Sequence, residues 1–229
     1  MKTSKMTTAG KSNLSKKEVT RRKIVAAARR VFTRHPYHKA SLRAIAAEGR
    51  FHFSLINHYF SKAELFGAVA AEVSQELLQA YQAWMTDLAS TDPENGLGLF
   101  LDRALAYLFE KPDVLMLLMK NAGEAGTEES APAFEYFSGY VFNAGTTLTG
   151  SLPSRVNEEH VIIWFYGLLN MLINYVGAAD YHGQILNLSP DSRQYRQWVK
   201  KSLMYLFLPG LKEMISQAGA DVQPGESQG

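Results

Sequence analysis

Residues 49 to 65, "GRFHFSLINHYFSKAEL", bring together Phe53, Ser54, Asn57 and His58 at spacings that place them on one side of a helix whose opposite side buries Ile56. Such a set is poor material for acid–base or nucleophilic catalysis and good material for reading the edges of bases. An Asn amide can make two hydrogen bonds to adenine, Ser and His can donate or accept, and an aromatic ring can pack on a thymine methyl. Tyr59 and Lys62 suit phosphate oxygens, and Lys62 stands near the positive N-terminus of the helix that follows. The segment is a candidate surface for reading duplex DNA.

The elements that must hold this surface are helices. "SKKE" at 15–18 has the form of a capping box, and Ile24, Ala28, Val31 and Phe32 recur at helical spacing behind it, which predicts a first helix stopped near Arg34 by Pro36. A second, short helix is predicted from an N-cap at Ser41 to about Glu48, burying Leu42, Ile45 and Ala46. The reading helix spans about 53–59, with Phe51 and Phe60 packing at its ends. "SKAE" at 61–64 is another capping box, opening a long fourth helix toward Ala89.

The net charge of +2 conceals a division of the chain. Residues 1–62 hold fifteen Lys or Arg against Glu18 and Glu48, and four of the six His, whereas the remaining 167 residues hold nine Lys or Arg against twenty acids. A basic head on an acidic body attracts phosphates at one end only, as a polyanion-binding module requires. The absence of cysteine excludes disulfides, thiol nucleophiles and thiolate-ligated metals. The polar, basic stretch 1–14 has no apolar run of the secretory kind, reads as a flexible arm, and fits a cytoplasmic location.

The stretch "KIVAAARRVFTRHPYHKASLRAIAAEGRFHFSLINHYFSKAEL" resembles the DNA-binding head of the TetR family of transcriptional regulators. Matching positions are Phe32, Tyr37, Ser41, Leu42, Arg43, Ile45, Ala46, Ile56, His58, Tyr59, Phe60, Lys62 and Leu65. The resemblance implies a three-helix head containing a helix-turn-helix, a homodimer formed through the last two helices, a palindromic operator, and a repressor released when a small apolar inducer shifts helix four. The expected DNA contacts are Ser41, Arg43, His52, Phe53, Ser54, Asn57, His58, Tyr59 and Lys62. The chain departs from the family pattern in three places. Arg50 stands at a turn position usually held by Gly, so either Arg50 is left-handed or Gly49 takes over the turn. His52, Phe53 and Ser54 replace commoner residues, which makes the reading helix unusually aromatic. The connection to helix four looks one residue short.

Beyond residue 90 further helices are predicted, one opened by Asp92 and Pro93 and ended at Lys111-Pro112, then about 113–123, 132–149, 156–178 and 191–217, with a kink at Pro209-Gly210. The fold class is all-α, with an arm at 1–14, a helix-turn-helix domain at 15–62, a ligand-binding and dimerisation domain at 63–217, and a disordered tail at 218–229. Segment 161–177, "VIIWFYGLLNMLINYVG", is at the lower length limit for a membrane span, contains two Asn and lacks basic flanks. A packed helix is expected there, covered partly by a second copy because one chain seldom covers every face of such a helix. Tyr136, Tyr140, Asn143 and Thr147 form one stripe with polar tips, and Tyr166, Asn170 and Asn174 another. With Met116, Met119, Phe142 and Trp164 as apolar walls, they could line a pocket, and Met116, Met119, Tyr140, Asn143, Thr147, Tyr166, Asn170 and Asn174 are the expected ligand contacts. His35 and His38 are separated by Pro36, which argues against a metal site, and no cofactor is expected. No HExxH, GxSxG, GxGxxG or P-loop pattern occurs, which argues against an enzyme. The competing reading is a helical adaptor with a basic surface and no specific DNA target.

Overall fold

The computed structural model describes residues 15–122, 144–150, 152 and 156–220, and every regular element among them is helical. Helix α1 (Lys16–Arg34) is capped by Ser15, whose Oγ accepts the Glu18 N–H at 3.2 Å. The reverse arm expected of a capping box is replaced by a 3.9 Å approach of Glu18 to Arg22. α2 (Leu42–Gly49) is capped by Ser41, α3 is Phe53–Tyr59, and α4 (Lys62–Met85) opens on a complete capping box between Ser61 and Glu64. α4 stops four residues before Ala89. Its last turn is sealed by Arg103, whose guanidinium donates to the carbonyls of Trp84 (2.9 Å) and Thr86 (2.6 Å).

α5 (Pro93–Glu110) starts at the N-cap Asp92 with Pro93 in its first turn, as the sequence predicts. α6 (Pro112–Ala122) follows, and then α7, of which residues 144–150 are described. α8 (Glu158–Gly177) is followed by α9 (Ala179–Leu186), an element not foreseen, and by α10 (Arg193–Ala220). α9 escaped notice because no Pro separates it from α8; it closes on Asn187 in the left-handed conformation. α10 runs as one helix with Pro209 inside it, in keeping with the single helix expected over 191–217.

Buried residues form one continuous core. In the head, Ile24, Ala28, Val31 and Phe32 of α1 meet Ile45 and Ala46 of α2, Ile56 of α3 and Leu65 and Phe66 of α4. The core then follows α4 through Val69, Val73, Leu77 and Tyr81 into the larger body. Two polar ties bind head to body. Arg29 of α1 donates to both Glu76 oxygens on α4 (2.6 and 2.9 Å) and to Asp113 on α6 (2.7 Å). At the other end of α6, the fully buried Asn121 accepts the Tyr37 N–H at 2.9 Å and donates to the Leu117 carbonyl at 2.8 Å.

α8 is long and apolar enough to cross a membrane by length and composition. Here one face, Val161, Phe165, Leu168, Leu172 and Val176, is packed into the core. The other leaves Ile162, Ile163 and Tyr166 more than half exposed, and α10 beside it exposes Tyr205 and Leu206.

Candidate nucleic-acid interface and ligand cavity

The turn between α2 and α3 decides how α3 is presented. Arg50 adopts the left-handed conformation (φ 56°, ψ 43°), its N–H donates to the Ala47 carbonyl at 3.2 Å, and the Phe51 N–H reaches the Ala46 carbonyl at 2.8 Å. This paired closure ends α2 in the way glycine usually does. Gly49 has a separate duty: the Phe51 ring lies where a side chain at Gly49 would stand. Of the two alternatives for the turn, the structure takes the first: Arg50 is left-handed, and Gly49 is the last residue of α2 rather than the turn residue.

From this turn α3 projects with Ile56 fully buried and Phe60 buried behind it. Phe53, Ser54, Asn57 and His58 all face solvent, and Phe53 is 44% exposed. The Arg43 guanidinium of α2 stands 5.7 Å from the centre of the Phe53 ring, joining a cation to the leading edge of the reading helix. His52, ahead of α3, is exposed and makes no capping bond. Ser41 is exposed, and its Oγ accepts the Ala44 N–H at 3.1 Å. Tyr59 is half-buried with its ring edge-on to His58, 5.5 Å between centres.

Lys62 is placed differently from the expectation. Its ammonium donates to the His38 carbonyl at 3.4 Å and lies 4.3 Å from the centre of the Tyr37 ring, and burial lowers its pKa. The short connection into α4 draws this side chain inward, where it braces the loop after α1 rather than reaching outward.

Sequence reasoning missed three cations of the head, two of which the fold brings beside α3. Lys17 and Arg21, one turn apart on α1, share a groove with Ser15, Glu18, His58 and Tyr59. Arg21 also sits 4.5 Å over the Phe60 ring, and Arg50 at the turn is exposed. The i, i+4 spacing of Lys17 and Arg21 on the polar side of α1 was the available signal. Of the head's two acids, Glu48 is tied between Arg30 and Arg34 at 2.6 and 2.5 Å, and these bonds hold its carboxyl below the ordinary carboxylate range. A seven-residue helix with polar and aromatic tips on a cationic mount has the dimensions to enter a major groove about 12 Å wide.

The larger body contains a cavity of about 210 Å³ between the end of α4, the start of α5, α7, the first half of α8 and the last third of α10. Its walls include Tyr81, Leu97, Phe100, Trp164, Leu168 and Leu211. None of the expected ligand contacts lies among its described lining. Tyr166, Asn170 and Asn174 lie on the outward face of α8, roughly opposite Phe165 and Leu168; Asn170 donates to the Tyr166 carbonyl and Asn174 bonds His182, each at 2.7 Å. The polar stripe of an apolar helix turns toward water because burial of unpaired amides is costly. Met116 and Met119 are half-buried on α6, where Met119 fills the space that a side chain at Gly177 would need. Thr147 is half-buried on α7, while Tyr136, Tyr140, Phe142 and Asn143 lie outside the described residues.

Comparison with known proteins adds to this geometry. Residues 24–69 match the family model described as "Bacterial regulatory proteins, tetR family". No curated protein sequence matches the chain. Among solved structures, a tetR-family transcriptional regulator from Streptomyces coelicolor aligns with a TM-score of 0.59 at 17% identity, covering 92% of each chain. The transcriptional regulator FadR from Bacillus subtilis in complex with stearoyl-CoA aligns at 0.57 and 14%, covering 82% of this chain and 98% of that one. AibR in complex with isovaleryl coenzyme A and operator DNA gives 0.57 and 16%, with the same coverage. At these identities the likeness is one of fold, and it extends through the body as well as the head.

Proposed function

We propose, on the premise that residues 24–69 form a tetR-family head, that this chain is a sequence-specific DNA-binding transcriptional regulator acting in the cytoplasm as a homodimer, and most simply a repressor released by a small molecule. The observation that carries the reading is α3, anchored by Ile56, with Phe53, Ser54, Asn57 and His58 presented together on a cationic mount. Phe53, Ser54 and Asn57 face base edges, while Tyr59, Ser41, Arg43 and His58, joined by Lys17, Arg21 and Arg50, meet the flanking backbone. Lys62 acts from inside the head.

The dimer reading is supported by the outer faces of α8 and α10, where Ile162, Ile163, Tyr166, Tyr205 and Leu206 form an apolar surface that a second copy would cover. A two-fold dimer carries two reading helices and so asks for a palindromic site with half-sites about one helical turn apart or a little more. Release by a small molecule is supported by the cavity, whose wall residue Tyr81 lies on the helix that begins directly behind α3.

Selection of bound fragments from random DNA by the purified full chain tests the proposal. The expected result is one enriched palindrome, bound with an affinity that falls steeply as salt is added and that exceeds the affinity for random DNA. Enrichment of no sequence, with weak salt dependence, would leave the adaptor reading in its place.

A further inference from the structure

The cavity's wall is almost free of groups that could hold a charged ligand. Among its described lining residues there is no Lys or Arg, and the single ionised side chain is Asp92, exposed at the mouth. The Asp92 carboxylate already accepts the N–H groups of Glu94 and Asn95 (3.1 Å each) and the Asn95 amide (2.6 Å). Those backbone bonds hold its pKa below the ordinary value, so it remains an anion at neutral pH.

Other polar groups nearby are committed too. Thr91 donates to the Leu88 carbonyl at 2.7 Å, and the Trp164 indole N–H donates to the Phe207 carbonyl at 2.7 Å. Two cations of the surrounding elements are engaged: Lys212, next to the wall residue Leu211, is paired with Glu94 at 2.7 Å, and Arg103 is bound to the carbonyls that end α4. Among the described lining residues, an anionic ligand would meet Asp92 at the entrance and find no cation inside.

We infer that this cavity, between the N-terminus of α5 and the first half of α8, takes an uncharged, compact, apolar molecule and excludes carboxylates and coenzyme A thioesters. The inference rests on the ligand-responsive reading above and gives that ligand a size and a charge. An apolar cavity of roughly 150 Å³ takes up benzene, so about 210 Å³ admits a somewhat larger body, such as a substituted ring or a medium alkyl chain. Recognition is by fit and dispersion contact with Leu97, Phe100, Leu168 and Leu211, with Trp164 supplying an aromatic wall. The coenzyme A ligands of the two structural neighbours therefore do not carry over to this cavity.

Three probes of equal chain length test it on the full-length protein: octan-1-ol, octanoate and octanoyl-CoA, with binding read by calorimetry and by tryptophan fluorescence. Octan-1-ol is expected to bind, octanoate about tenfold more weakly or not at all, and octanoyl-CoA not at all. Asp92→Asn keeps a good N-cap while removing the charge, and should narrow the gap between alcohol and acid. Ile215→Trp, which fills the cavity from α10, should abolish octan-1-ol binding; should that variant fail to fold, Leu152→Trp fills it from the opposite wall. Tighter binding of octanoyl-CoA than of octan-1-ol, or alcohol binding unchanged by a folded cavity-filling variant, overturns the inference. DNA affinity measured without ligand on the same preparation separates the two claims, because it tests the regulator reading alone.

Discussion

Replacing Ile56 with Ala isolates what holds the reading helix in place. α3 has seven residues, and helices shorter than about 12–15 residues are marginal in water when isolated, so its conformation depends on docking. Ile56 is its one fully buried residue, with Phe60 buried beyond its end and Phe51 half-buried before it. Truncating a buried Ile to Ala costs about 2–5 kcal/mol, against roughly 0.5–1.5 for Ile→Val. A loss of about 3 kcal/mol would shift the ratio of docked to undocked α3 by a factor of roughly 150. Apparent affinity scales with the docked fraction, so Ile56→Ala should weaken operator binding by up to that factor, and Ile56→Val by less than about tenfold. Fluorescence anisotropy on the selected operator measures the affinity, and hydrogen exchange over residues 53–60 measures the docking. Unchanged affinity in Ile56→Ala, or weakened binding with exchange in 53–60 still as slow as in the parent, would refute the account.

Other expectations follow from the same geometry. Asn57→Ala should cost roughly 1–3 kcal/mol on the selected operator and little on random DNA, whereas Tyr59→Phe should weaken both about equally; equal losses for Asn57→Ala on both would remove its base-reading role. Arg50→Gly relieves a left-handed conformation that costs an ordinary residue roughly 1–2 kcal/mol, so the head should gain about 1 kcal/mol in urea denaturation while affinity for random DNA falls. Gly177→Ala should destabilise the protein by about 1–3 kcal/mol because Met119 occupies the space, and Met119→Ala in that background should recover part of the loss. The hydrogen bonds from Arg29 hold the Glu76 pKa below its ordinary value, so their stabilisation is complete above the unfolded Glu value of about 4.3 and is lost as pH falls through the lower folded value. Glu72, raised by burial, titrates earlier and in the opposite sense. Denaturation of Glu76→Gln and the parent at matched pH should therefore differ most near neutrality and converge in acid, and a difference that persists in acid would contradict the linkage.

Much of the head was legible because its information is local. Capping residues at Ser15, Ser41 and Ser61, the periodicity of Ile24 through Phe32, and the contrast between a buried Ile56 and its polar neighbours each depend on residues within a turn or two, and the fold preserved them. α8 shows where such reasoning ends. Its sequence is apolar nearly all round, so periodicity could not say which side meets the core; packing against α5, α6 and α10 turned Phe165 and Leu168 inward and left Tyr166, Asn170 and Asn174 in solvent. For the same reason the cavity formed along Trp164, Phe165 and Leu168 instead of the polar stripe.

The sequence alone determined the all-α class, the short α3 with its exposed polar and aromatic face, and the concentration of positive charge in the head, since each is set by neighbours in the chain. Only tertiary structure decided that Arg29 joins α1 to Glu76 and Asp113, that Lys62 turns inward onto Tyr37 and His38, that Lys17 and Arg21 flank Tyr59, and where the cavity lies. Those contacts bridge 24 to 84 positions along the chain, and they depend on the angles at which packed helices cross, which no local pattern of residues encodes.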